Sequence, residues 1–271
     1  MSATAPLPPP EAVVLDDVRR ALAEDLGPGD VTAALLPDTD DVAYLLCKQE
    51  AVICGRPWFD ACHRQLDPQV SIDWRVAEGQ RVAAGTVLAT LRGHSRTLVS
   101  AERTSLNFLQ TLSGTATVTA AFVEAVRGTG ARILDTRKTV PGLRLAQKYA
   151  VRCGGGDNHR IGLFDAVMLK ENHVRAAGGI AAAMRAARAL HPQLPLVVEV
   201  ESLDELRQAL EQPCTRIMLD DFSPEQRREA VRIAAGRVPL EVSGMVDLDT
   251  VRAVAQDGCL LYTSDAADDL L

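Results

Sequence analysis

ILDTRKTVPGLRLAQKYAVRCGGGDNHRIGLFDAVMLKENH, residues 133–173, decides how this chain is read. The apolar run Ala131–Leu134 ends in Asp135-Thr136-Arg137-Lys138. The run Ala166–Leu169 ends in Lys170-Glu171-Asn172-His173. Each reads as a buried strand that delivers a cation at its end. Residues 127–175 hold ten Lys/Arg and four Asp/Glu, so this window carries +6 in a chain of net charge −7. Cations concentrated in an otherwise acidic protein point to a focused anion site and not to a broad basic surface.

Downstream of this stretch a rhythm sets in. Strand candidates follow at Leu196–Val200, Arg216–Leu219 and Val238–Val242. Helical patterns separate them at Ile180–Leu190, Leu203–Glu211, Pro224–Ala235 and Leu248–Ala255. Strands alternating with helices imply right-handed βαβ units and a parallel sheet, and at least five such units suggest a barrel. Polar residues gather at the strand ends: Glu199 with Glu201, Asp220-Asp221, and Glu241 with Ser243-Gly244. Each ion withdrawn from water costs roughly several kcal/mol unless well paired. Five strands bringing ions to one rim make sense around a charged ligand, and that rim is where α/β barrels build their sites.

The N-terminal half reads differently. Residues 11–26 have helical periodicity and stop at Gly27-Pro28-Gly29-Asp30. Strand-like segments follow at Val42–Cys47 and Ala51–Cys54. Gly79 and Gly85, each beside a short β-rich run, suggest paired hairpins like the hammerhead of biotinyl and lipoyl carriers. No lysine sits at a tip between them, so this region reads as scaffold. Leu98–Leu112 and Thr115–Val126 predict two helices, the first capped by Ser100 and the second stopping at Gly128.

Composition bounds the rest. The 271 residues suffice for two domains, or for one barrel with an addition. Hydrophobic content of 47% with only 4% aromatics fits an aliphatic α/β protein. No apolar run nears the ~20 residues of a membrane span. MSATAPLPPPEAVV lacks the basic and apolar parts of a signal peptide and reads as a Pro-rich leader. Six cysteines form no CxxC pair, which predicts free thiols in a reducing cytoplasm. Cys54, Cys62 and His63 lack the second half of a zinc site. The acidic balance with few aromatics argues against nucleic acid.

Within the central stretch, Thr136–Gly142 places Arg137 and Lys138 on a strand-to-loop turn. Arginine offers a planar fork for carboxylate or phosphate, and lysine a point charge. Gly154-Gly155-Gly156-Asp157-Asn158-His159-Arg160 lets backbone N–H groups approach an anion, with His159 and Arg160 beside them. It is neither a Walker A nor a GxGxxG pattern. Glu199 and Asp220, at the ends of neighbouring strands, suit sugar hydroxyls or Mg²⁺. Arg103, on a helix before the barrel, reads on its own as a surface residue.

EDLGPGDVT, AERTSLNFLQTLSGTAT, the central stretch from Asp135, VVEVES, IMLDD and LEVSG together resemble the quinolinate phosphoribosyltransferase family, in order, from about Leu15 to Gly258. The resemblance implies an α/β protein with an N-terminal hammerhead-like domain (1–115) and an open seven-stranded TIM-like α/β barrel (116–258). It implies phosphoribosyl transfer to quinolinate with decarboxylation, giving nicotinate mononucleotide, pyrophosphate and CO₂ for NAD synthesis in the cytoplasm. The co-substrate would be phosphoribosyl pyrophosphate and the cofactor Mg²⁺, with no organic cofactor, nucleic acid or membrane involved. Arg103, Arg137, Arg160 and Lys170 would form the anion site, with Thr136 and Lys138 beside them and His159 adjacent. Glu199 and Asp220 would face ribose and Mg²⁺, the metal held partly through substrate. Ser243, Gly244 and Met245 would belong to the phosphate site. Lys138, Lys170, Glu199 and Asp220 are the implied catalytic set. The family forms homodimers with shared active sites, so Arg103 would be donated across the interface.

Two departures matter. Met245 stands where the family has a second glycine, and its side chain would crowd a phosphate held by backbone N–H groups. No glycine follows Gly258, so residues 259–271 read as an atypical tail without the family's last phosphate turn. The barrel is therefore expected to be truncated and unclosed near its final strand, although Leu260-Leu261-Tyr262 can pair as a short strand. The alternatives are a related pyrophosphorylase-like protein linked to molybdenum transport, and a non-catalytic binding protein.

Overall fold

The computed structural model describes residues 6–244, 246–259 and 261–263. The chain divides into two compact units: residues to 120 together with 140–155, and 121–139 together with residues from 156 onward. Among the described residues no helix is long and apolar enough to cross a membrane.

In the first unit, helix α1 (Glu11–Leu26) buries Val14, Val18 and Leu22 along one stripe, as its periodicity predicts. Asp17 is buried on the same stripe and accepts from Trp58 Nε1 at 3.1 Å. Strand β1 (Asp40–Leu46) pairs antiparallel with β5 (Val87–His94), which pairs on its other edge with β3 (Ser71–Trp74). Short strands β2 (Ala51–Val52) and β4 (Arg81–Val82) make a separate ribbon. Helix α2 (Arg56–Leu66) carries Pro57 in its first turn and sends Trp58, Phe59 and Cys62 inward.

Helix α3 (Ser95–Ala125) is one helix of 31 residues, about 46 Å long by rise per residue. The two-helix expectation is thus corrected. The expected gap fell at Ser113-Gly114, where a serine hydroxyl and a glycine both disfavour helix. Here the Ser113 and Thr117 hydroxyls have other work as well: Cys54 N–H donates to Ser113 Oγ at 3.0 Å, and Val52 N–H donates to Thr117 Oγ1 at 2.8 Å. Gly114 costs about 1 kcal/mol against alanine, which the buried Leu112 and Ala116 beside it offset. The start is corrected too. The helix begins at Ser95, and the Ser100 hydroxyl donates to Asp30 Oδ2 at 2.9 Å instead of capping.

Helix α4 (Arg144–Cys153) buries Ala146, Tyr149 and Ala150, with Tyr149 tilted against Trp58 at 5.9 Å between ring centroids. At its end Gly154 is obligatory, because a Cβ there would meet Ala116 O at 2.4 Å and Thr119 Cβ at 2.7 Å. Two apolar clusters result. One gathers α1, α2, α3 and α4 around Trp58 and Leu112, and the other packs Ile53, Phe59, Leu88 and Leu91 against Leu98 and Leu109 of α3.

The second unit is a parallel sheet. Its strands are β6 (Arg132–Leu134), β7 (Val167–Leu169), β8 (Leu196–Val200), β9 (Arg216–Asp220), β10 (Leu240–Ser243) and β11 (Leu261–Thr263). Their spatial order is β6-β11-β10-β9-β8-β7. Helices α5 (Glu171–Ala177), α6 (Ile180–Leu190), α7 (Leu203–Ala209), α8 (Pro224–Ala234) and α9 (Val251–Gln256) connect them. Ser202 caps α7, and Ser223 with Gln226 forms a capping box on α8, where Pro224 opens the first turn. Asp157 adds a single parallel bridge outside β6, with its N–H on Ile133 O at 2.9 Å.

The expected gap beside the last strand is not there. Leu261 and Tyr262 pair with Glu241 and Val242 on one side, and Leu261–Thr263 pair with Arg132–Leu134 on the other. The ladder is open elsewhere, since its terminal strands β6 and β7 do not pair. The expectations for Met245, Leu260 and residues 264–271 lie outside the described residues.

Candidate active site

Register explains how the site assembles. Paired residues of a parallel sheet point to the same face. Glu199 pairs with Met218 and Met218 with Glu241, while Asp220 pairs with Ser243 one step further along. Met168, Glu199, Met218, Asp220 and Ser243 all line one cavity of about 600 Å³ at the C-terminal ends of the strands. Leu169 opposite Val198 sets Lys170 level with Glu199. Lys170 Nζ donates to Glu199 Oε2 at 2.7 Å. The lysine side chain is 48% exposed and the carboxylate 8%, so the pair stands half in the cavity and half in the wall.

The two loops with the strongest sequence signal complete the lining. After β6 come Asp135, Thr136, Arg137 and Lys138, the Lys138 N–H donating to Thr136 Oγ1 at 3.0 Å. From the glycine-rich loop come His159 and Arg160. Asp135 ties the loops together, accepting from Asn158 Nδ2 at 2.6 Å and from the His159 N–H at 2.8 Å. Asp165 accepts from the Ile161 and Gly162 N–H groups and closes the next turn. The Arg160 guanidinium reaches Ala166 O at 3.4 Å. Burial and then the neighbouring Arg137 charge press Arg160 below its ordinary range, only partly offset by Asp165. A second guanidinium charge near Arg160 favours an anion beside both.

Glu199, Asp220 and Asp221 add carboxylates to the same lining. Asp221 has φ +51° and Gly244 φ +125°. A Cβ at Gly244 would meet Asp221 Oδ1 at 2.6 Å, so this turn needs glycine on both counts. Just outside, burial and then the charges of Glu171, Glu205, Asp220 and Glu199 raise the Glu201 carboxyl above its usual range. The rim thus carries charges of both signs, with Lys170 and Glu199 in direct contact.

The structure therefore brings together Thr136, Arg137, Lys138, His159, Arg160, Lys170, Glu199, Asp220, Ser243 and Gly244. Arg103 belongs to the first unit, exposed on α3. Asp135, Met168, Met218 and Asp221 line the same cavity and were not singled out from sequence as site residues. Two-residue alternation from Asp220 back to Met218 was the signal for one of them.

Hard oxygen donors for a divalent cation are present in Glu199 and Asp220. A softer group lies in the first unit, where Cys54, Glu78 and Cys153 have ligand-type atoms within 4.8 Å of one another. The Glu78 carboxylate accepts from the Gly55 and Arg56 N–H groups at the start of α2, and burial pushes the Cys54 thiol well up. These are marks of a structural cap and buried thiols.

Comparison with known proteins matches this arrangement. Residues 30–113 match the quinolinate phosphoribosyl transferase N-terminal domain, and residues 115–268 its C-terminal domain. The nicotinate-nucleotide pyrophosphorylase (carboxylating) of Mycobacterium leprae is 44% identical over 254 residues, covering 90% of this chain and 88% of that protein. A mitochondrial quinolinate phosphoribosyltransferase (decarboxylating) of Nicotiana glauca is 40% identical over 268 residues, covering 91% of this chain and 76% of that one. The solved nicotinate-nucleotide pyrophosphorylase of Francisella tularensis superposes with a TM-score of 0.94 at 45% identity, covering 98% of this chain and 95% of that one. With both domains matched in order and the cation-lined cavity in the second, this chain belongs to the quinolinate phosphoribosyl transferase family.

Proposed function

We propose that this protein transfers the phosphoribosyl group of phosphoribosyl pyrophosphate to quinolinate, releasing pyrophosphate and CO₂ and leaving nicotinate mononucleotide. The observation that carries the reading is the charge gathered in a single cavity: Arg137, Lys138, Arg160 and Lys170 line it together with the carboxylates Glu199, Asp220 and Asp221. Quinolinate brings two carboxylates, and the co-substrate brings a phosphate and a pyrophosphate. Cations must gather these anions against their mutual repulsion. Arg137 and Arg160, which line the cavity together, supply planar forks for the quinolinate carboxylates. Thr136 and His159 border them.

The ring nitrogen then attacks the anomeric carbon as the bond to pyrophosphate breaks. Positive charge builds on the ribose, and Glu199 and Asp220 face it from the strand ends. Lys170, bonded to Glu199, holds that carboxylate in place, and Lys138 adds positive charge at the rim. Ser243 and Gly244 border the phosphate. The alkylated nitrogen, now cationic, stabilises the ring carbanion left by departing CO₂, and a proton from solvent takes the place of the lost carboxylate. No side chain has to form a covalent bond to substrate.

Glu199 and Asp220 are also suitable for Mg²⁺, which takes one or two carboxylates together with substrate phosphates. Bound there, Mg²⁺ would neutralise charge on the leaving pyrophosphate. Arg103, exposed on α3, is assigned to the site of the other subunit in a homodimer. The six cysteines form no disulfide among the described residues, which fits a reducing cytoplasm. The test is a reaction of purified protein with quinolinate, phosphoribosyl pyrophosphate and Mg²⁺. Nicotinate mononucleotide and CO₂ should appear in equal amounts and only with both substrates. Quinolinate binding by calorimetry without turnover would instead support a binding protein.

A further inference from the structure

Beneath the cavity three side chains link charge to geometry. Arg216 Nη1 donates to Glu241 Oε2 at 2.8 Å, and His159 Nε2 stands 3.5 Å from the same oxygen. The Glu241 side chain is wholly buried, His159 is 6% exposed and Arg216 22%. Arg216 lies two residues before Met218, the partner of Glu241, so both point to the same face of the sheet. Burial alone would raise the Glu241 carboxyl, but His159 and Arg216 reverse this and hold it below its usual range. An ionised carboxylate thus sits in the protein interior, its Oε1 without a hydrogen bond among the described residues. On the far side of the imidazole, the Arg160 N–H donates to His159 Nδ1 at 2.7 Å. A nitrogen that accepts carries no proton, so the neutral ring bears its proton on Nε2, facing Glu241.

We propose that Glu241, anchored by Arg216, is a positioning residue that selects the Nε2–H form of His159, so that the ring pins the Arg160 backbone and aims its guanidinium at a substrate carboxylate. The proposal rests on reading the cavity as the quinolinate site. A fixed negative charge favours the proton on the nitrogen facing it. The Nδ1 lone pair is then left for the Arg160 amide. Asp135 holds the next amide along, that of His159, so the loop is fixed at two successive residues. With Nδ1 accepting from the Arg160 N–H and Nε2 facing Glu241 at 3.5 Å, His159 serves as a spacer with a defined hydrogen-bond polarity, not as a base. Its partner's influence should therefore fall on quinolinate binding and spare the phosphoribosyl half.

Glu241→Gln keeps the size of the side chain and removes its charge. The experiment combines ¹⁵N NMR of the His159 imidazole, assigned against a His159→Gln variant, with KM for each substrate and kcat. In the wild type Nδ1 should read unprotonated and Nε2 protonated. In Glu241→Gln that pattern should change, with quinolinate KM raised about tenfold, the loss of one hydrogen bond to a charged group. Phosphoribosyl pyrophosphate KM and kcat should stay near wild type. A protonated Nδ1 in the wild type, an unchanged ring in the variant, or equal losses for both substrates would each overturn the proposal. The NMR pattern needs no substrate, so it stands or falls apart from the proposed reaction, which wild-type turnover tests. If Glu241→Gln does not fold, Arg216→Met serves instead. Glu241 then loses its anchor, and the proton pattern of the ring should change as it does in Glu241→Gln. A ring that stays as in the wild type would again overturn the proposal.

Discussion

Replacing Lys170 by methionine should separate two consequences of one ion pair. The substitution keeps the aliphatic stem and removes the ammonium that lies 2.7 Å from Glu199. Breaking a fully buried pair costs about 3–5 kcal/mol, because the surviving charge stays desolvated. Here the lysine is 48% exposed and the carboxylate 8%, so water screens much of the loss. A cost of about 1–2 kcal/mol is the appropriate expectation. For a chain of this size that lowers Tm by roughly 2–8 °C. Substrate loses a charge-assisted hydrogen bond as well, worth about 1.5–3 kcal/mol, or roughly tenfold to 160-fold in kcat/KM. The double variant Lys170→Met/Glu199→Gln removes the stranded charge. Calorimetry should show most of the lost Tm restored, while steady-state kinetics with both substrates should remain at or below the level of the single variant. Wild-type kcat/KM in Lys170→Met, alongside a lowered Tm, would make the pair a structural strut and remove Lys170 from the site.

Gly244→Ala should lower both stability and kcat/KM, since its Cβ would meet Asp221 Oδ1 at 2.6 Å in a backbone of φ +125°; a melting curve and a kinetic trace indistinguishable from wild type would count against that turn's role. His63 is 2% exposed, and burial pushes its ring down to about 4 from 6.5. The unfolded chain gains this proton near pH 6.5 and the folded chain only near 4, so stability is full above pH 6.5 and declines by about 3 kcal/mol as pH falls to 4. Urea melts across that range should show a shallower acid decline for His63→Gln, and parallel wild-type and variant profiles would contradict the assignment. If Arg103 acts across a dimer, mixing Arg103→Ala with Lys170→Ala chains should recover part of the activity through hybrids holding one intact site. Proven hybrids with no recovery would return Arg103 to its own chain's surface.

What the sequence made legible and what it hid follow from different physics. Alternating strands and helices after residue 166 were readable because each strand is a short, continuously apolar run with a charged residue at its end, which polar caps and glycines then isolate. The cavity-lining residues on loops were readable for the related reason that Arg137, Lys138 and Arg160 are cations where nothing local needs them. The long helix α3 was misread because local chemistry argued for a break at Ser113-Gly114. The chain at Val52 and Cys54, some sixty residues earlier, supplies N–H donors to the Ser113 and Thr117 hydroxyls. Glu241 shows the sharper limit. It looked like one more strand-end acid, yet it lies two residues before Ser243, which faces the cavity, and is wholly buried. Its depth depends on the register of β10 against β9, and its partner Arg216 is 25 positions away. Sequence periodicity tells which face a residue takes but not how deep in the barrel it lies. In this fold depth separates the groups that can meet substrate, such as Glu199 and Asp220, from those that act through a neighbour, such as Glu241 through His159.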